Sequence, residues 1–148
     1  MIDSAKVGKY ISKIALINGR LFHKILSLDD RAKFNSEQGK ILYCLWEKAP
    51  LTTTDLSMES GLAKNTLSSM LNRMEKAGLI YSFPHPSDKR KRYFDLTEEG
   101  RKQSIVGEAA SKKLSAIFYE GFTEEESKLF EALLERVVNN LEAGDQHF

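Results

Sequence analysis

The stretch AKNTLSSMLNRMEKAGLI, residues 63–80, determines our interpretation of the whole chain. At about 100° per residue, Leu67, Met70, Leu71 and Met74 fall on one side of a helix. The opposite side carries short amides and hydroxyls with one lysine, at positions 65, 68, 69, 72 and 76. A merely solvated face more often carries Glu and Lys, whereas short polar side chains can reach base edges in a DNA groove. The segment therefore predicts an amphipathic helix with an outer face suited to nucleic acid.

A shorter helix and a tight turn are predicted just before this segment. Thr52 offers a hydroxyl N-cap with Asp55 in the first turn, and the helix should run through about Glu59. It should end at Ser60 and Gly61, and the chain then leads directly into the next helix. Two helices joined by a glycine turn, the second with a small polar outer face, predict a helix-turn-helix.

A small basic wing is predicted after this motif. Gly78 should close the helix, and LIYSF (79–83) and RYFDL (92–96) should form two antiparallel strands. The connecting stretch PHPSDKRKR is turn-forming and strongly basic, and we expect His85 in it to be exposed to solvent. Lysine and arginine on a protruding loop can straddle a phosphate backbone or enter a minor groove.

The charge distribution supports a localised anion-binding surface. The chain of 148 residues has a net charge of +1, yet residues 63–92 hold seven Lys or Arg and only two acids. The remaining residues carry a net charge of −4. A basic middle with acidic flanks is typical of a protein that binds nucleic acid with one surface. For the wing alone, a simple solvated face remains an alternative.

Long helices are predicted on both sides of this basic region. Residues 4–28 form a heptad seam, in which Asn18 is the polar interruption, and the helix of about 123–143 carries an apolar stripe wider than one docking face requires. Both features predict dimerisation, although a packed amphipathic helix of a monomer remains an alternative for the first. The residues expected at the dimer interface are Val7, Ile11, Ile14, Asn18, Leu21, Leu134, Val137, Val138 and Leu141.

These elements predict a mainly α fold with a small antiparallel β-wing, that is, a winged helix-turn-helix flanked by N- and C-terminal dimerisation helices. A chain of this length fits one domain, 1–148. Within it, about 36–97 would form the DNA-binding lobe, beginning with a helix capped by Ser36. The dimerisation helices would lie at about 4–30 and 98–143, with Thr97 and Thr123 as caps.

Other classes of protein receive little support. The chain has no membrane-length apolar run and no secretory signal after residues 1–3, so we expect a cytoplasmic protein without membrane contact. Cys44 lies in an apolar stripe and is expected to be a buried small side chain, while redox sensing stays open as the less favoured alternative. Three dispersed histidines give no metal or catalytic pattern, so we expect no enzyme activity, no metal and no cofactor.

In this arrangement the sequence resembles the MarR family of winged-helix transcriptional regulators over nearly its whole length. The wing run DKRKRYFDLTEEG and the helix ending LNRMEKAGLI carry the resemblance. It implies a homodimeric regulator, a repressor by expectation, that binds double-stranded DNA at a pseudo-palindromic operator. The helix of about 64–77 would enter successive major grooves and the wing adjacent minor grooves.

The resemblance also implies roles for individual residues. Arg90 aligns with the family's wing arginine, and Asp88 with its wing acid, which we expect to brace Arg73. Ala63 departs from the family, since a capping Ser or Asp is common there, and this leaves the first base-contacting position open. The full predicted DNA-binding set is Lys64, Asn65, Thr66, Ser68, Ser69, Asn72, Arg73, Lys89, Arg90, Lys91 and Arg92.

Many members of the family respond to small aromatic ligands in a cleft between the dimer helices and the DNA-binding lobes. The residues expected to line such an effector cleft are Phe22, Phe34, Tyr43, Trp46 and Phe118. Aromatic residues at helical spacing are also typical of an ordinary core, and that alternative stays open. A winged helix that docks protein or binds RNA is the alternative function, although the small polar face at 65, 68, 69 and 72 suits a groove better than a flat protein surface.

Overall fold

The computed structural model describes residues 4–148, and the first three residues of the predicted domain lie outside this range. Helices and strands follow each other in the predicted order, with one additional strand. The elements are α1 (Ser4–Ser27), α2 (Ser36–Glu47), β1 (Leu51–Thr52), α3 (Thr53–Ser60), α4 (Lys64–Lys76), β2 (Ile80–Pro84), β3 (Arg92–Leu96), α5 (Glu98–Phe118) and α6 (Glu124–Asp145). The fold is mainly helical with a small antiparallel sheet, as predicted.

Side chains that bond to free backbone N–H groups determine where several helices begin. Thr52 and Thr123 form capping boxes with Asp55 and Glu126, which confirms both predicted caps. The prediction of a Ser36 cap is wrong by one residue. Asn35 is the cap, because its side chain accepts the Gln38 N–H while Gln38 bonds back to the Asn35 backbone.

The sheet has three strands in the order β1-β3-β2, all antiparallel. The predicted hairpin is present, with Ile80 opposite Leu96 and Pro84 opposite Arg92. Strand β1 was not predicted; in it Leu51 pairs with Phe94 and Thr52 with Tyr93. This strand fixes the wing to the start of α3, so the helix-turn-helix and the wing share one framework.

The backbone divides into two compact units, the first ending at Leu114 and the second covering Ser115–Phe148. In the first unit the core joins α2, α3, α4, the sheet and the first half of α5. Its most buried side chains are Ile41, Leu42, Leu45, Leu56, Leu67, Leu71, Met74, Leu79 and Ile80. The second unit contains an aromatic cluster in which Phe118, Tyr119, Phe122 and Phe130 contact one another.

Candidate nucleic-acid interface

Helix α4 has the two faces that its sequence predicts. Leu67, Leu71 and Met74 are almost completely buried, and they fix the helix to the core of the first unit. The outer face is exposed along its length, at Lys64, Asn65, Thr66, Ser68, Ser69, Asn72 and Arg73. A rigid helix therefore presents small polar and basic side chains to solvent.

The turn before α4 is held by local hydrogen bonds. Gly61 adopts the left-handed conformation at φ 78°, which a residue with a Cβ rarely adopts. The Ser57 hydroxyl donates to the Leu62 carbonyl at 2.7 Å, and the Leu62 N–H donates to the Ser60 hydroxyl at 3.1 Å. This turn sets the angle at which α4 leaves the helix-turn-helix.

Helix α4 begins without a capping side chain at Ala63. The helix begins at Lys64, and Ala63 occupies the N-cap position without a side-chain bond. The Asn65 side-chain oxygen instead accepts the Thr66 N–H at 3.0 Å, while the Ser68 hydroxyl donates to the Lys64 carbonyl at 3.0 Å. These bonds use the amide oxygen of Asn65 and the hydroxyl proton of Ser68, so the Asn65 amide N–H groups and the Ser68 oxygen lone pairs can still contact a base.

The wing tip lies between β2 and β3. The His85 N–H donates to the Lys91 carbonyl at 3.2 Å, and the Lys91 N–H donates to the Asp88 carbonyl at 3.0 Å. Arg92, at the start of β3, donates from Nε to the Ser82 hydroxyl across the hairpin at 3.2 Å. Lys89, Arg90 and Lys91 are exposed on the loop that these bonds close.

Asp88 braces an arginine, but the prediction that this arginine is Arg73 is wrong, because the partner is Arg90. The Asp88 carboxylate accepts the Arg90 backbone N–H at 3.0 Å and the Arg90 Nε–H at 3.3 Å. The Arg90 side chain nevertheless remains 90% exposed. The side-chain and backbone hydrogen bonds from Arg90 lower the pKa of Asp88, so the carboxylate stays ionised beside the arginine. A partner two residues away needs only one tight turn, whereas Arg73 belongs to a different element.

His85 is half-buried, whereas it was expected to be exposed to solvent. Its ring stacks on Tyr93 with the ring centroids 4.9 Å apart, and its Nδ1 accepts backbone N–H groups from Ser87 and Asp88. The sequence signal that would have identified this role is a side chain with an acceptor atom at the start of a four-residue turn, a position that Asn or Asp usually occupies.

Four of the five predicted cleft residues come together in the first unit. Phe22, Phe34, Tyr43 and Trp46 line an open cavity of about 410 Å³, with Phe34 and Trp46 edge to face at 5.7 Å. Charged and polar side chains, among them Glu37, Lys40 and Glu59, also line it. Phe118 belongs instead to the aromatic cluster of the second unit, where Phe130 is one of its neighbours.

Cys44 lies in the wall of the same cavity and is 8% exposed. Its thiol donates to the Lys40 carbonyl at 3.3 Å. Burial, and then the charges of Glu59 and Glu47, raise the pKa of this thiol. The thiolate needed for redox chemistry is therefore disfavoured.

The predicted dimerisation residues lie mostly on exposed faces of this single chain. In α1, Val7, Ile11 and Ile14 are 45–52% exposed, while Asn18 and Leu21 are half-buried. Helix α6 has no buried residue, and six of its large apolar side chains are between 40% and 68% exposed. Those side chains are Leu129, Leu133, Leu134, Val137, Val138 and Leu141. An isolated chain thus leaves a long apolar stripe on α6 in contact with water.

Two other kinds of site, a metal site and a membrane-spanning helix, are not found in the part of the chain that the structure describes. Across residues 4–148, no three side chains of His, Cys, Asp or Glu are grouped so that they could hold a metal ion. None of the helices in that range combines the length and the apolar character needed to cross a bilayer.

A helix-turn-helix with an exposed polar second helix and a basic β-hairpin beside it defines a winged-helix DNA-binding protein. The profile of the MarR family matches residues 34–91. The HTH-type transcriptional regulator FarR of Neisseria gonorrhoeae is 31% identical over 107 residues, which cover 70% of this chain and 73% of FarR. This chain belongs to the MarR family and is a DNA-binding transcriptional regulator.

Two further comparisons agree with this family. The homoprotocatechuate degradative operon repressor of Escherichia coli is 29% identical over 113 residues, covering 73% of each protein. The crystal structure of a cysteine-to-serine mutant of MarR from E. coli, complexed with operator DNA, superposes with a TM-score of 0.73 at 25% identity. That superposition covers 89% of this chain and 93% of the MarR chain.

Proposed function

We propose that this chain is a homodimeric repressor of the cytoplasm that binds a pseudo-palindromic operator and has no enzymatic activity of its own. The observation that carries the proposal is the exposed small polar face of α4 beside a basic wing in the same compact unit. The E. coli relative, a repressor of a degradative operon, supports repression, and the MarR complex with operator DNA supports duplex binding.

In this proposal α4 reads the major groove. Asn65, Ser68, Ser69 and Asn72 can donate to or accept from base edges, which present a different pattern for each base pair. Lys64, Thr66 and Arg73 are also exposed on α4, and they would add contacts to phosphates or base edges. Specificity would thus depend on side chains that a fixed helix presents.

The wing would contact the neighbouring backbone and minor groove. Asp88 holds Arg90 by two hydrogen bonds to its guanidinium, and this positions the cation before DNA arrives. A narrow minor groove has a strongly negative potential that attracts arginine. Lys89, Lys91 and Arg92 would add phosphate contacts, which strengthen binding to all sequences alike.

The dimer would cover the apolar stripe of α6 and the N-terminal half of α1. Six apolar side chains that are 40–68% exposed on one helix are costly in water, and a second copy of the helix can remove that cost. Half-buried Asn18 would set the register of the α1 seam. Two copies of α4 would then face DNA about one helical turn apart.

A small aromatic effector is the regulator that the cavity of the first unit would accommodate. Its volume of about 410 Å³ lies within the range of small-molecule pockets, and aromatic side chains with a few polar groups line it. The wall is formed by α1, α2, α3 and α5, so an occupant can alter how these helices pack against the helix-turn-helix.

The test is duplex binding by the purified protein. Genomic fragments that it retains would supply the duplex, and fluorescence anisotropy would compare wild type with Arg90→Ala and with Lys112→Ala, which removes a cation from α5. We expect Arg90→Ala to weaken binding about tenfold or more, and Lys112→Ala to change it little. Equal binding by all three proteins would contradict the proposed DNA contact of the wing and favour a docking role for it, whereas failure of the wild type to retain any duplex would contradict the proposed function itself.

A further inference from the structure

The wing tip contains a histidine that organises its turn. The Nδ1 atom of His85 accepts the backbone N–H groups of Ser87 and Asp88, at 3.2 Å and 3.1 Å. The Ser87 hydroxyl lies 3.3 Å from the same nitrogen. Tyr93 fixes the ring from the other side, with 21° between the two planes. The imidazole thus caps the turn, as an Asn side chain caps an Asx-turn.

Hydrogen bonds connect this cap directly to the wing arginine. Asp88, whose N–H is held by His85, accepts the backbone N–H and the guanidinium of Arg90 with its carboxylate. The Asp88 carbonyl also accepts the Lys91 N–H, which helps to close the loop. The position of the Arg90 guanidinium therefore depends on the orientation of the Asp88 backbone, and this depends on the ring of His85.

The cap requires one protonation state of the ring. A nitrogen that accepts N–H donors carries no proton, so these two hydrogen bonds require an imidazole whose proton is on Nε2. Protonation would add an N–H at Nδ1, and this hydrogen would face the N–H groups of Ser87 and Asp88. Both hydrogen bonds would be lost, and the three donors would repel one another.

Charged and titratable groups of three segments neighbour the ring in the chain. The loop contributes Asp88, Lys89, Arg90 and Lys91, β3 contributes Arg92, the Tyr93 hydroxyl and Asp95, and β2 contributes the Tyr81 hydroxyl but no charged residue. Because Arg90 lowers the pKa of Asp88, this carboxylate remains ionised where imidazole titrates.

We propose that neutral His85 is a positioning residue for DNA binding, and that its protonation opens the turn that presents Arg90. The inference rests on the proposed DNA contact of the wing. An imidazolium also adds a cation near phosphates, which by itself would strengthen binding in acid. That gain is screened by salt, whereas loss of the cap displaces Arg90, so acid weakens binding. The sign of the pH effect separates the two accounts.

The experiment compares duplex affinity of the full chain at about pH 8 and about pH 5.8, for wild type, His85→Asn and His85→Ala. Asn places an acceptor oxygen where Nδ1 lies but does not titrate. We expect the affinity of wild type to fall at least about threefold in acid. The corresponding free energy is smaller than the typical net contribution of one hydrogen bond. His85→Asn should bind well at both pH values, and His85→Ala weakly at both. His23→Asn, a change in α1, should keep the wild-type response.

A second measurement examines the turn without DNA. NMR spectra of the free protein should show that the Ser87 and Asp88 amide resonances shift with pH together with the imidazole nitrogens of His85. In His85→Asn the two amide resonances should keep the same chemical shifts at both pH values. Tighter or unchanged wild-type binding in acid would overturn the inference, as would an equal loss of affinity in His85→Asn. Amide shifts of Ser87 and Asp88 that do not follow the titration of the imidazole would also overturn it. If Arg90→Ala binds as wild type at about pH 8, the proposed role of the wing fails instead, whatever the titration shows.

Discussion

At the scale of single residues, Asn65 has the chemistry to select bases. Its amide oxygen accepts the Thr66 N–H in the free protein, so a small rotation would release this acceptor to act together with the amide N–H donors. Asn can bond in a bidentate way to adenine in the major groove, which discriminates against other bases. It therefore differs from Arg90, whose charge acts on every sequence.

Asn65→Ala should reduce sequence preference more than it reduces affinity for DNA in general. We expect a loss of about 1–3 kcal/mol in discrimination at one base pair of each half-site. The measurement is the ratio of affinities for a retained genomic duplex and a scrambled duplex of the same composition. A variant that loses affinity for both duplexes equally would show that Asn65 contacts phosphate rather than a base.

At the scale of elements, Trp46 of α2 contacts α5 at two glycines. Trp46 donates its indole N–H to the Gly100 carbonyl at 2.9 Å. A Cβ on Gly107 would lie 2.5 Å and 2.7 Å from Cζ3 and Cη2 of the same indole, so the ring lies directly on the α5 backbone. This contact forms one wall of the aromatic cavity.

Gly107→Ala should displace Trp46 and destabilise the first unit. Overpacking of this kind costs about 1–3 kcal/mol. Urea unfolding followed by the fluorescence of Trp46, the single tryptophan, measures the change. Gly8→Ala is the matched control, because a Cβ there has no neighbour within 4 Å in the described part of the chain. Equal stability of Gly107→Ala and wild type would show that the indole has room to move.

The sequence predicted most elements because their signals are local. The caps Thr52 and Thr123 each precede an acid three residues later, and the apolar side of α4 repeats at helical spacing. β1 was missed because two residues, Leu51 and Thr52, are too few to show a period. Gln103 was not identified as buried, because its amide bonds to the backbone at Arg31 and Lys33, about seventy positions earlier.

The candidate site was predictable in part for the same reason. The exposed face of α4 and the basic wing follow from residue type and spacing. The partner of Asp88 and the role of His85 do not, because each depends on the conformation of one turn. Phe118 was grouped with Trp46 on composition, whereas its aromatic neighbours are Tyr119 and Phe130.

At the scale of the whole molecule, the account requires two chains. In the proposed complex a single α4 would read one half-site, and the exposed stripe of α6 has the character of a surface that a partner covers. Dimerisation would also set the spacing between the two copies of α4, so loss of the dimer should abolish operator binding even though each DNA-binding lobe remains folded.

Leu134→Glu combined with Val138→Glu should convert the protein to a monomer at micromolar concentration. Two carboxylates in an apolar interface are expensive to bury and repel their copies in the partner. Sedimentation would measure the mass, and circular dichroism would confirm that helices persist. Glu135→Gln, a neighbouring change on α6, should leave the dimer intact. If wild type is itself a monomer at this concentration, α6 has another role.

In the proposed complex, α4 and the wing of each of two chains bind one duplex. The most direct measurement is a hydroxyl-radical footprint of the purified protein on a retained genomic fragment. We predict two protected regions related by dyad symmetry, with half-sites about 10 base pairs apart centre to centre. A single protected region without symmetry would contradict this arrangement of two chains on one duplex. Protection that spreads along every fragment alike would also contradict it.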